Sequence, residues 1–102
     1  MANYLMAYRG GGMAETDAER EARMAAWGAW FGTLGAAIVD PGNPFAGSAS
    51  VQSDGTVGDS GSGLSGYSVF QAGSLAAATE LAKGCPVLEI GGAVDVYEAI
   101  AM

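Results

Sequence analysis

The chain has 102 residues, half of them apolar, with eleven acids against four cations, a net charge of −7 and no histidine. That apolar share is too high for a disordered chain, and Arg9, Arg20, Arg23 and Lys83 do not make the basic footprint that nucleic acid or an anionic membrane requires. Only 15% of the residues are charged, which predicts one domain over residues 1–102 that buries some apolar surface against a second copy.

Residues 4–8, YLMAY, form a short strand with large apolar groups on both faces, a pattern of strands covered on both sides. Arg9 and three glycines end it, and residues 9–15 read as a flexible connection. Thr16 and Glu19 have capping-box spacing, so a helix starts there and runs to about Leu34. Met24, Trp27, Phe31 and Leu34 form an apolar stripe on it, with Trp30 alongside and Gly35 as the stop. Residues 36–39 predict a second strand, interrupted by the turn-former run Asp40-Pro41-Gly42-Asn43-Pro44. Extended chain resumes at 48–52, residues 53–56 read as a turn, and 55–66 as a mobile Gly/Ser-rich hairpin tip.

The firmest local signals follow. Tyr67, Val69 and Phe70 make a strand ending at Gly73, and Ser74 caps a helix over 75–83. Leu75, Ala78 and Leu81 or Ala82 share one face of that helix, Gly84 is its expected left-handed stop, and Pro86 prevents continuation. Residues 93–100 close the chain as a strand with Val94, Val96 and Ile100 on one face and Tyr97 on the other. The order β-α-β-β-α-β is that of an α+β ferredoxin-like fold with an antiparallel sheet. Two helices cover one face of such a sheet, and a second subunit packed sheet to sheet would cover the other.

The start MANYLMAYRG lacks the basic-then-apolar order of a signal peptide. The uncharged apolar run 24–39 is shorter than the ~20 residues of a membrane span. With Cys85 as the lone cysteine, the expectation is a cytoplasmic protein without a membrane partner.

Several motifs reduce to ordinary structure. Gly58-Asp59-Ser60-Gly61 spells a serine-protease signature, but that chemistry needs a histidine base. Gly10-Gly11-Gly12 lacks a phosphate-loop pattern and precedes acids that would repel an anion. No zinc set exists, and Asp40, Asp54 and Asp59 lack calcium-loop spacing, so no metal or cofactor is expected. Cys85 follows a helix C-terminus, where the dipole does not favour a thiolate, and reads as a buried inert thiol.

Five residues remain as ligand-binding candidates. Trp27 and Trp30 suit either a core or an aromatic pocket. Arg9 stands at a strand end, where sites tend to form, with Tyr8 beside it and Asp40 as its expected ion-pair partner. The Arg9–Asp40 pair would be either a structural bridge or the polar end of a pocket for a small anionic or polar ligand.

Five segments carry a resemblance to a known family: YLMAYRGGG, AWGAWFGTLG, VDPGNPF, SDGTV and GYSVFQAGSLAAATELAKGCPVLEIGGAVDVYEAI. In this order, over nearly the whole chain, they resemble the YCII-related (DGPF-type) domain family. The resemblance implies a ferredoxin-like protomer, a homodimer and a dimeric α+β barrel, and implies little about a reaction. A His–Asp pair has been suggested for the wider family. This chain has Val87 where relatives often show a histidine after Cys-Pro, so that pair does not carry over.

Three functions fit these observations. One is a small-molecule-binding homodimer with a pocket between helices and sheet. Another is a small lyase- or isomerase-like enzyme using a carboxylate or tyrosine as acid or base. The third is a purely structural or regulatory dimer.

Overall fold

The computed structural model describes residues 1–11 and 14–101. Gly12 and Met13, in the expected glycine-rich connection, lie outside the described residues.

Alternation along the first strand sets the architecture. In β1 (Ala2–Arg9), Tyr4, Met6 and Tyr8 point to one face and are buried. β5 (Leu64–Ala72) pairs antiparallel with it, Tyr4 opposite Phe70 and Met6 opposite Ser68. β6 (Ala93–Ala99) pairs on the other side, Met6 opposite Val96 and Tyr8 opposite Val94. The short β2 (Ile38–Asp40) joins the far edge of β5. The sheet order is β2-β5-β1-β6, antiparallel throughout. Each helix connection, β1 to β2 and β5 to β6, therefore spans one intervening strand. That is the α+β arrangement expected from the element order, and it is compatible with a ferredoxin-like fold.

Both helices begin as the sequence indicates. In α1 (Asp17–Leu34), the Thr16 hydroxyl accepts from the Glu19 amide at 3.1 Å. In α2 (Leu75–Ala82), Ser74 Oγ accepts from the Ala77 amide at 3.1 Å. Gly35 ends α1 at φ 53°. The end of α2 differs from expectation. Lys83, Gly84 and Cys85 each donate three residues back in tightened turns, and Pro86 opens a short 3-10 turn (Pro86–Ile90). The left-handed glycine is Gly91, at φ 82°, at the far end of that turn. Gly84 lies against the Trp30 indole instead.

The 55–66 stretch is not one open tip. Val57–Gly58 forms β4 against β3 (Ser50–Val51), and β5 begins at Leu64. The hairpin turn itself is 53–56, where Gly55 sits at φ 89° and Asp54 accepts from the Thr56 amide and hydroxyl. Those bonds hold the Asp54 carboxyl below its usual pKa.

The core lies between sheet and helices. Phe70, Met6, Trp30, Leu34, Cys85 and Val87 form its main part, and Tyr4, Ala72 and Ala78 continue it under α2. Two residues expected inside are not. Met24 is 69% exposed, and Leu75 lies outside the buried face that Ala78 and Ala82 supply. The described residues make a slab 19 Å through its shortest axis, one helix layer on one sheet. No described helix is long and apolar enough to cross a membrane.

Candidate functional site

α1 meets the rest of the molecule unevenly. Trp30 and Leu34, in its C-terminal half, are buried, whereas Trp27 and Phe31 are only partly covered. Trp30 stacks near Phe31 at 5.5 Å, meets Phe70 edge-on at 5.3 Å, and donates its indole N–H to the Leu81 carbonyl at 3.3 Å. That contact ties α1 to α2. Towards its N-terminus the helix stands off the sheet and leaves a cleft of about 760 Å³.

The wall of this cleft on α1 is one stripe at helical spacing: Arg20, Arg23, Met24, Trp27, Gly28 and Phe31. The opposite wall is the chain after β2. Asp40 Oδ1 accepts from the Gly42 amide at 2.9 Å, fixing the turn. Pro44 then bridges to Gly66 and the Phe45 amide donates to Ser65 O, so the turn lies along the start of β5. Gly42 is required there. Its φ is +73°, and a Cβ would run into the Tyr67 carbonyl. Val87 and Ile90 of the 3-10 turn add apolar surface at one end.

Tyr8 and Ser68 line the cleft from the sheet. The Tyr8 hydroxyl donates to Ser68 Oγ at 2.8 Å, and Ser68 donates onward to the Pro41 carbonyl at 2.6 Å. Burial is the main cause that drives the Tyr8 pKa up, so the phenol keeps its proton at neutral pH. Its ring lies 4.9 Å from Trp27 in a T-shaped contact. Cys85 is buried nearby, and burial pushes its thiol up to about 11.

The five sequence candidates divide between the two faces of the sheet. Tyr8, Trp27 and Trp30 come together, the first two lining the cleft and Trp30 closing the core beside it. Arg9 follows Tyr8 in the same strand, so its side chain projects to the other face. There it makes a two-contact pair with Asp95, Nε–Oδ2 at 2.8 Å and a second bond at 3.1 Å. The expected Arg9–Asp40 pair does not form. Asp40 instead holds its own turn and accepts weakly from the Tyr67 hydroxyl at 3.4 Å.

Arg20 and Arg23 are not among the five sequence candidates. Arg20 does pair with Asp17, at 2.8 Å, yet both arginines line the cleft. Their signal was available: positions 20 and 23 extend the Met24, Trp27, Phe31 stripe by one turn. Among the described residues, no three potential metal-ligating side chains stand together. No family model matches the chain, and no curated protein or solved structure matches it either.

Proposed function

We propose that this protein binds a small molecule in the cleft between α1 and the sheet, as a homodimer paired through the uncovered sheet face. The observation that carries the reading is the cleft itself. It offers about 760 Å³ between largely apolar walls, with a few polar groups from Tyr8, Ser68 and the arginines. That size and composition match the small-molecule sites of other proteins. An acid–base enzyme would need a carboxylate or an easily ionised tyrosine at this place. The described lining residues include no carboxylate, and burial moves Tyr8 away from ionisation, which favours binding over proton-transfer catalysis.

Pairing is supported by what the second helix layer would have covered had there been one. Leu5, Val69 and the 57%-exposed Tyr97 lie on the outer face of the sheet, around the Arg9–Asp95 pair. The βαββαβ order is compatible with the ferredoxin-like protomer that the resemblance to YCII-related proteins implies, and on this proposal the chain is a cytoplasmic member that forms a dimeric α+β barrel.

Gly28 supplies the test. A Cβ there meets nothing within 4 Å, so Gly28→Leu can fill the cleft without straining the helix. A thermal-shift screen of small amphipathic compounds is expected to yield hits on the wild type that Gly28→Leu loses. Hits that survive the substitution would place binding elsewhere. Light scattering showing a monomer at micromolar concentration would refute the dimer.

A further inference from the structure

We infer that the ligand of this cleft is an amphipathic organic anion, with its carboxylate held by Arg20 and Arg23 and its apolar body lying along Met24, Trp27 and Phe31. This rests on the reading that the cleft is a binding site and names what it would select.

Charge is unevenly distributed over this molecule. The chain holds eleven acids and four cations, yet the described lining residues include two of the cations and none of the acids. An anion is repelled by most of this surface, so a cleft wall that carries two guanidinium groups is where one can be held. A cationic ligand would meet two guanidinium groups here, the nearby Asp17 being already paired with Arg20.

The order of groups along α1 gives the ligand its polarity. Arg20 and Arg23 come first, the aromatics follow, and Arg23 and Trp27 are separated by about 6 Å along the axis at the α-helical rise. One turn is the distance between a carboxylate and an aromatic ring joined by a short aliphatic linker. Guanidinium groups suit a carboxylate because their fork of N–H donors matches its two oxygens. Arg20 now holds Asp17, but the two side chains are 62% and 91% exposed, and an exposed pair of this kind is weak enough for a ligand to replace. Trp27 and Phe31, with ring centroids 5.7 Å apart, present the apolar surface next to that charge.

The experiment compares hydrocinnamate with its neutral primary amide on the full chain, following binding by tryptophan fluorescence and calorimetry. The acid is expected to bind about tenfold more tightly than the amide at low salt, the preference shrinking as salt is raised. In Arg20→Gln/Arg23→Gln that preference is expected to vanish while amide binding stays as it was. Glutamine keeps helix propensity, so the variant tests charge rather than folding. Gly28→Leu is expected to abolish both. Equal binding of acid and amide to the wild type, with both lost in Gly28→Leu, overturns the anion assignment and leaves the cleft as a site. A preference that survives the arginine substitutions places the anion elsewhere and overturns the assignment too. No binding of either compound at millimolar concentration overturns the cleft reading itself.

Discussion

The two helix crossovers of this fold are built alike and packed differently. α2 meets the sheet through Ala78 and Ala82, both buried, so its backbone comes close and the space beneath it is filled by Tyr4, Ala72 and Leu81. α1 meets it through Trp30 and Leu34 at one end and stands away at the other, where Arg20, Met24 and Trp27 face a cleft. Small residues let a helix lie flat; a pair of large ones at one end acts as a hinge point and opens a wedge at the other. The difference shows how one topology yields a sealed half and an open half through the size of the side chains that seat each helix.

The sharpest way to break this contrast is to exchange one tryptophan at a time. Trp30→Ala removes a buried ring together with its bond to Leu81, and is expected to cost about 3–5 kcal/mol in chemical denaturation. Trp27→Ala, on the cleft wall, is expected to cost about half of that and to abolish probe binding. Equal losses from the two would mean that α1 is seated evenly along its length.

Comparable in size is Gly42→Ala, which attacks the wall opposite α1. The residue must leave φ +73° and clear the Tyr67 carbonyl, at an expected cost of about 3 kcal/mol. A melting temperature within a degree of wild type would show that the turn is not pinned to β5.

The core beside the open half can be probed by pH. The Cys85 thiol rises from its ordinary 9.0 to about 11, chiefly through burial. The folded form therefore holds a proton that the unfolded form has already released. Stability is expected to be level below pH 9 and to fall as pH climbs through 11, by about 2 kcal/mol from this one group. Cys85→Ala should delay the onset of that fall, since the remaining buried phenols of Tyr4 and Tyr8 start from their ordinary 10.0. An unchanged onset in the variant would show that the thiol is not the group responsible.

The smallest effect sharpens the open half. Gly28→Ala adds a methyl group that meets nothing and improves helix propensity, for an expected gain of about 1 kcal/mol. A loss of stability instead would mean that the cleft is closed in solution.

Much of the fold was legible because its signals are local. The caps at Thr16 and Ser74, the stop at Gly35 and the alternation of β1 depend on neighbours within a few residues, and each stands where the residue pattern puts it. Local reasoning failed at Gly84, because the Trp30 indole from another element and a following 3-10 turn moved the left-handed glycine to Gly91. The candidate site divides in the same way. Tyr8, Trp27 and Trp30 were found from their chemistry, and their proximity follows from α1 crossing above β1. Arg9 and Tyr8 were grouped as sequence neighbours, although strand alternation sends adjacent side chains to opposite faces.

What the chain's local pattern determined, then, is the list of elements, the positions of their caps and the antiparallel α+β class, since these rest on periodicity and backbone preference. The pairing of Arg9 with Asp95 rather than Asp40 was decided only when β6 lay beside β1. The cleft was decided later still, by the burial of Trp30 and Leu34 that seats one end of α1 and by the turn at Gly42 that closes the facing wall. A cleft is the space between elements, and its shape depends on packing between residues tens of positions apart, which periodicity along the chain does not encode.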